Sequence, residues 1–531
     1  MQEKPSATMK KRMSFGNVAM LLIATTLIGQ VLGFLRTKIV NANFPPVGPH
    51  STDSYFAAFN IPDFFFYTLA AGALGVAFMP VLADRLHKGD KKGMWELSSS
   101  LLNMLGMIMG VAALVIFVFA KPLIHHIVAP NLTPQQLNVA ATIMRFLALD
   151  PLFFTISGVL NAVQQTLGRF FFYAIAPLFY NSSIIASVYV FRHSSIGIEG
   201  LGIGAAVGAL LQLGVVCLGL RNTGFRWRPK ILWRSRDFRL ILRQLPPRSL
   251  DQGIDQIESI VETNFARRLG EGNISYYSNA YTLQTAPTLL IGTTISTAVF
   301  PLLNKRLAQG RPDLFRKDFL RILRLMIWIT TPVTIVCYFC RGYLARLIFT
   351  RNAPEIALIF GYLTLAIFFG TLYTIMSRWF YAQKDTRTPL FISVFTIALN
   401  IFLVSMWARA SSYGVAGLGM AQSVVAMVEV FVLATIMIYR DRKLLNRVFW
   451  GGCMRIFSVA GFTLVVGMIM VSLLPLGIKD VGVSLGIKLF IIASVTFATH
   501  VLISGLFGLE EARPIFRWIR RLLFKPIKMQ Y

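Results

Sequence analysis

Asp53-Ser54-Tyr55-Phe56-Ala57-Ala58-Phe59-Asn60-Ile61-Pro62-Asp63-Phe64-Phe65-Phe66 opens a long apolar run. The run continues through Gly72-Ala73-Leu74 and closes on Ala77-Phe78-Met79-Pro80-Val81-Leu82, Arg85-Leu86 and Gly89. It is longer than the about 20 residues that cross a bilayer. Pro62 interrupts it, and a basic patch of Arg85, Lys88, Lys91 and Lys92 follows. The same shape returns later. Tyr276-Tyr277 opens a second copy and Pro287 interrupts it; Ala298-Val299-Phe300-Pro301-Leu302-Leu303, Arg306-Leu307 and Gly310 close it. Ala77, Pro80, Leu82, Arg85, Leu86 and Gly89 each match the residue 221 positions further on. A soluble core helix has no reason to repeat with its proline and its basic end, whereas a transporter made of two similar halves does.

Composition supports this. The chain of 531 residues is 55% hydrophobic and only 14% charged, with a mean hydropathy of +0.62. Soluble domains carry about 25% charged residues. The first apolar run, Val18 to Val40, is too long for a signal peptide core and has no small-residue cleavage site behind it. A net charge of +29 invites a nucleic-acid reading, but Lys and Arg cluster in alternate loops, as positive-inside topology requires. The four cysteines, Cys217, Cys337, Cys340 and Cys453, all fall in apolar segments. Cys337-x-x-Cys340 has no second pair and reads as small apolar packing.

In order along the chain, we expect an N-terminal lobe over residues 1–220 with six spans. A basic cytoplasmic linker over 221–248 follows, with Phe225, Trp227, Trp233 and Phe238 making it amphipathic. Residues 249–440 form a C-terminal lobe of six spans, 441–508 hold two further spans, and 509–531 form a basic tail. The expected fold is an all-α polytopic membrane protein with 14 transmembrane helices. It has two parallel six-helix repeats forming two lobes, plus two extra C-terminal helices, with both termini cytoplasmic. Gly197-Ile198-Glu199-Gly200-Leu201-Gly202 returning as Gly414-Val415-Ala416-Gly417-Leu418-Gly419 supports the duplication. The outer loop with Arg341, Arg346 and Arg351 is an exception to the charge rule.

A charge at bilayer depth costs about 2.5–3.5 kcal/mol even on lenient scales, so each one needs a cavity or a partner. Arg36, near the end of the first span, either faces a cavity and holds an anion or snorkels to the headgroups. In the seventh span, Asp251, Asp255, Glu258 and Glu262 fall on one narrow stripe. They form a cation or proton site or a latch between halves; alternatively Asp251 and Asp255 lie in the interface and only Glu258 and Glu262 are deep. Candidate partners are Arg36, Arg145 and Arg378. Asp53 and Asp63 flank the Pro62 kink, and Asp53 reads first as a helix cap. Glu429 and Lys488 stand alone in their spans. No nucleophile elbow, P-loop or metal motif appears, so we expect a transporter and no enzyme.

The chain resembles the MurJ/MviN lipid II flippases of the multidrug/oligosaccharidyl-lipid/polysaccharide exporter superfamily. The resemblance is carried by Val31-Leu32-Gly33-Phe34-Leu35-Arg36, by Thr52 to Phe59 with Ile61-Pro62, by Gly72-Ala73 with Ala77 to Leu82, by Leu160-Asn161-Ala162, and above all by Phe380-Tyr381-Ala382-Gln383-Lys384-Asp385-Thr386-Arg387-Thr388-Pro389. It implies a two-lobe transporter with a central cationic cavity for lipid II and a C-terminal helix pair that forms a groove for the lipid tail. Arginine suits a pyrophosphate headgroup. The substrate-binding residues it implies, taken with the polar positions above, are Arg36, Gln30, Asp53, Arg145, Thr282 and Arg378; Glu262, Glu258 and Asp255 are the cation or coupling candidates. The departures are specific: arginines expected before Val31, after Pro62 and within Ala280 to Leu283 are Gln30, Phe66 and Thr282, and the acids expected after Arg36 and before Gly72 are Thr37 and Ala71.

The expected activity is translocation of lipid II to the outer leaflet of the bacterial cytoplasmic membrane by alternating access, for cell-wall synthesis. Alternatives are export of another polyprenyl-linked glycan, a cation-coupled drug antiporter (which wants an acid in span one, where none stands), and a membrane scaffold for cell-wall enzymes without transport. The expected partners are lipid II or a related undecaprenyl-pyrophosphate glycan and membrane lipids, with no nucleic acid, and the expected state is a monomer. No cofactor is expected; coupling to the membrane potential or to Na+ or H+ is left open.

Overall fold

The computed structural model describes residues 15–71, 78–349, 351–477 and 480–517. The basic amino terminus, Gly72 to Ala77, and the tail from 518 onward lie outside the described residues, as does the side chain of Asp251. No strand occurs among the described residues.

Two compact units divide the chain, Met1–Ser275 and Tyr276–Tyr531. The first holds α1 (Phe15–Asn43), α2 (Thr52–Phe66), α3 (Met79–His87), α4 (Lys91–Leu123), α5 (Pro134–Leu147), α6 (Asp150–Thr166), α7 (Phe171–Phe191), α8 (Gly200–Gly219) and α9 (Arg236–Arg268). Across the boundary runs α10 (Asn273–Pro287), followed by α11 (Thr294–Ala308), α12 (Pro312–Phe339), α13 (Arg341–Ile348), α14 (Ala353–Ala382), α15 (Arg387–Trp407), α16 (Ala416–Arg440), α17 (Arg447–Leu473) and α18 (Val483–Leu506).

Twelve helical segments among the described residues are long and apolar enough to cross a membrane. Fourteen were expected. The two expected spans outside these twelve are the run from α2 to α3, whose Gly72 to Ala77 lie outside the described residues, and the charged α9. The π turns in the two copies have a local setting. Pro62 lies inside α2 and cannot donate to the helix ladder, and the next turn, Tyr67–Ala71, is π-helical. α10 ends on Pro287, and Thr288–Thr293 is again a π turn.

In lipid, apolar burial between helices gives little net drive, so close backbone approach matters more. Gly200, Gly204 and Gly208 form such a seam on α8. A Cβ on Gly204 would lie 2.2 Å from Ser187 Oγ, and one on Gly208 would lie 3.0 Å from Tyr180 Cα. Ser183 Oγ donates to the Gly204 carbonyl at 2.7 Å. This contact fixes α7 and sets Tyr180 in place for the site below.

The basic segment after α8 crosses α4 as a strap. Trp227 Nε1 donates to Asn103 Oδ1 at 2.8 Å, and Arg228 pairs with Glu96 at 2.6 Å. α9 begins at Arg236, and its Phe238 and Ile241 are buried with Phe78, Leu82, Met94 and Leu97. The second unit packs around Phe315, Phe319, Trp379 and Phe380.

Candidate functional site

Within the first unit, a chamber of about 500 Å³ opens between α1, α2, α6, α7 and α8. That size falls in the range of small-ligand cavities, about 300–1,000 Å³. Phe56, Phe59, Phe66 and Phe154 form aromatic walls, and Arg36, Asp63, Tyr55, Asn161, Tyr180 and Gln212 supply the polar groups. Arg36 is half-buried and lies within electrostatic reach of Asp63, Tyr55 and Tyr180. Behind the wall, Tyr180 Oη donates to Asp150 Oδ2 at 3.3 Å. Tyr55 Oη and Asn161 Oδ1 are buried with no hydrogen-bond partner among the described residues. Buried polar atoms left without a protein partner are costly, so these two call for a water or a ligand group in the chamber.

A second polar cluster anchors the start of α2. The sequence reading of Asp53 as a helix cap is overturned, because the cap is Ser51, whose hydroxyl accepts from Ser54 N. Asp53 is fully buried and instead accepts from Gly272 N (2.7 Å), Ser275 N (2.8 Å) and Ser275 Oγ (2.7 Å). Arg267 stands 3.7 Å from it. Arg267 is itself buried and donates to Asn131 O at 3.0 Å and Gln136 Oε1 at 2.8 Å. The same Gln136 closes a capping box with Thr133 at the start of α5. One buried carboxylate thus collects three donors and a guanidinium, which is what a charge in a low-dielectric place needs.

The other sequence candidates are scattered. Asp255 is exposed, Glu258 half-buried and Glu262 buried, so burial rises along α9. The neighbouring face of α9 carries Ser259 and Thr263, both donating to Asn60 Oδ1 (3.3 and 3.4 Å). Gln30 is half-buried on α1 and does not line the chamber. Arg145 is exposed, with Nε 3.4 Å from the Phe117 carbonyl, and is not brought to Arg36. Thr282 and Arg378 belong to the second unit. Thr282 donates to the Ser278 carbonyl at 2.8 Å, and Arg378 stacks on Phe300 and Tyr381 at 5.2 and 5.9 Å. Lys488 does not stand alone as its sequence context implied; it pairs with Asp480 at 2.6 Å.

The string Phe380 to Pro389 folds as the turn between α14 and α15, with Lys384 at φ +62°. Asp385 organises it. The Thr388 hydroxyl donates to it at 2.7 Å and the Thr388 backbone N–H at 3.1 Å, and Arg440 pairs with it at 2.6 Å. Burial opposes the charge, but the Thr388 hydrogen bonds and Arg440 outweigh it and hold the Asp385 carboxyl down to about 2.

A family model described as "Lipid II flippase MurJ" matches residues 49–496. The chain belongs to the MurJ family. Among similar sequences, a "Probable lipid II flippase MurJ" of Borreliella burgdorferi is 23% identical over 435 residues, covering 80% of this chain and 83% of its own. A "Lipid II flippase MurJ" of Burkholderia cenocepacia is 24% identical over 381 residues, covering 70% and 73%. The fold is similar to a solved MurJ in an inward closed conformation, with a TM-score of 0.75 at 19% identity and coverage of 92% and 98%. It is also similar to an inward-facing MATE family multidrug transporter, with a TM-score of 0.66 at 14% identity and coverage of 80% and 99%. The protein is therefore a member of a transporter family with a MurJ/MATE-like helical fold. Against the MurJ pattern, Phe66 stands where an arginine is expected, and it forms chamber wall, edge-on to Phe154 at 5.5 Å. Asp63, Tyr180 and Asn161 were not singled out as site residues from sequence. Tyr180 and Asp63 are separated by more than a hundred positions; α2 carries Asp63, and α7, closely approached by α8 at Gly208, carries Tyr180 to the same chamber.

Proposed function

We propose that this protein translocates lipid II, the lipid-linked peptidoglycan precursor, from the inner to the outer leaflet of the bacterial cytoplasmic membrane by alternating access. The match to the MurJ family over residues 49–496 supports this reading most directly. Chamber chemistry is consistent with it. Arg36 offers charge-assisted hydrogen bonds to a pyrophosphate, and Asp63, within its electrostatic reach, competes for the guanidinium until phosphate arrives. The aromatic walls give a sugar ring apolar faces to rest on, while Tyr55 and Asn161 offer polar atoms to its hydroxyls. Gln30, Asp53, Arg145, Thr282 and Arg378 are proposed to act on the substrate or hold the frame around it, with Glu262, Glu258 and Asp255 as the coupling carboxylates for Na+ or H+ or for response to the membrane potential.

Both termini are proposed to be cytoplasmic, from the basic inner loops, with fourteen spans in all and the last pair, α17 and α18, serving the lipid tail. The chain is proposed to act as a monomer and to bind no nucleic acid. The test is reconstitution in vesicles carrying fluorescent lipid II, with translocation read by accessibility to an added modifying enzyme. Depletion in cells adds a second readout: lipid II accumulating on the inner face supports the cargo assignment, and accumulation of a different lipid-linked glycan overturns it.

A further inference from the structure

In the second unit, a cavity of about 820 Å³ lies among the first turns of α12 and α17 and the segment that follows α18. Seven Lys and Arg side chains line it, against three carboxylates. Those carboxylates leave most of the positive charge unanswered. Glu511 is taken by Arg324, at 2.5 Å, with both side chains largely buried. Asp313 pairs with Arg311 at 3.6 Å. Arg316 is the one further lining cation with an ion-pair partner, Asp441. Lys317, Arg321, Lys443, Arg513 and Arg517 are exposed and have no ion-pair partner among the described residues.

The cavity is built, not a chance cluster of surface charges. A Cβ on Gly452 would fall 2.7 Å from the Arg324 guanidinium carbon, so α17 makes room for that side chain at the base. Among the described residues, Arg324 Nε and Glu511 Oε2 are buried there without a hydrogen-bond partner. Asn446 caps α17 by accepting from Phe449 N at 2.9 Å, and the amino-terminal dipoles of two long helices add to the positive field. Beside it lies an apolar cleft of about 520 Å³ with Gly505, Gly508, Leu509 and Phe516, sharing Arg513 and Arg517 with the cationic cavity.

We propose that this cavity binds the phosphate of an anionic membrane lipid, with the neighbouring cleft taking the start of an acyl chain. A soluble phosphate offers the same headgroup chemistry but has no use for the apolar cleft. Basic pockets between membrane helices on the cytoplasmic side suit such headgroups. The inference is independent of the cargo and rests on the proposed orientation only for which leaflet supplies the lipid.

The test uses the full chain in a neutral detergent, with lipid retention counted by native mass spectrometry. Phosphatidylglycerol and phosphatidylcholine of matched chains are the probes, and inorganic phosphate is the competitor. Arg321→Gln with Arg513→Gln is compared with a control pair in the first unit, Arg226→Gln with Arg234→Gln. The expected result is preferential retention of phosphatidylglycerol, weakened about tenfold or more by the cavity pair and unchanged by the control pair. Phosphate that fails to displace the lipid supports the lipid source; phosphate that displaces it fully and binds by itself overturns the lipid source and keeps the phosphate site. Equal retention of the two lipids, or equal loss in both variant pairs, overturns the proposal. Should the cavity pair not fold, judged by melting without lipid, Lys317→Gln with Lys443→Gln on the rim gives the same reading.

Discussion

The first broken helix, α2, carries Asp53 and Asp63; at the corresponding places of the second, α10, stand Ile274 and Gln284. The backbone plan is common to both. Each helix runs from Thr52–Phe66 or Asn273–Pro287 and gives way to a π turn, Tyr67–Ala71 or Thr288–Thr293. The polar chemistry is not. In the first copy a carboxylate is tied into Arg267, Ser275 and Gly272, and a second carboxylate faces a chamber with Arg36. Close packing also differs. Around the first break the small residue is on the neighbour, since Gly253 of α9 accepts Thr68, with a Cβ there 2.5 Å from its hydroxyl. Around the second, the π turn supplies its own Gly292 against Thr374 and Thr371 of α14 at 3.0 to 3.2 Å. A duplicated fold therefore preserves where the helix slips, while each copy settles its charges separately.

The sharpest way to break this contrast is at Asp53. Asp53→Ala leaves Arg267 buried without its carboxylate and strands the Ser275 and Gly272 donors. Losing one partner of a buried pair costs about 3–5 kcal/mol. We expect a lower unfolding temperature in detergent, with Arg267→Ala in the same chain recovering part of the loss; Ile274→Ala at the matching place of the second copy should cost much less. Equal losses at Asp53 and Ile274 would erase the asymmetry.

Next in size is Arg36→Ala. Charge-assisted hydrogen bonds to a buried anion are worth about 1.5–3 kcal/mol, so lipid II translocation in vesicles should fall about tenfold or more. Glu262→Gln should slow translocation through coupling, with a changed dependence on the ion gradient. Wild-type rates in both variants would remove the chamber and the carboxylate from the mechanism.

The glycines sharpen the packing half of the comparison. Gly253→Ala meets Thr68 inside any tolerable distance, whereas Gly292→Ala asks Thr374 and Thr371 to give by tenths of an ångström. Overpacking costs about 1–3 kcal/mol; we place Gly253→Ala at the upper end and Gly292→Ala at the lower. Melting of the two single variants decides the order.

The smallest effect is that of pH on the turn after α14. Asp385 is held at about 2 in the folded protein against an ordinary 3.8. A depressed carboxylate stabilises fully above its unfolded value, and that stabilisation fades as pH falls from about 4 through 2. The gap in unfolding temperature between wild type and Asp385→Asn should therefore be constant above pH 5 and close below pH 4. A gap that persists at pH 2 would mean the turn is held by Thr388 and Arg440 geometry without the charge.

The amino-acid sequence by itself determined the class of molecule, because spanning a bilayer imposes length, hydropathy and loop charge on the chain directly. It also carried the duplication, since Pro80 and Arg85 recur as Pro301 and Arg306, and it singled out Arg36 as a charge near the end of the first span that either faces a cavity or snorkels to the headgroups. Only tertiary structure decided what Arg36 faces. Asp63 and Tyr180 reach it across α2 and α7, and that meeting depends on a glycine seam whose effect is one of close approach rather than of local propensity. Asp53 is the clearest case: beside Thr52 at a helix start its sequence context reads as a cap, yet Ser51 takes that duty. The carboxylate then turns to Gly272, Ser275 and Arg267, because burial demands more donors than a helix end can give.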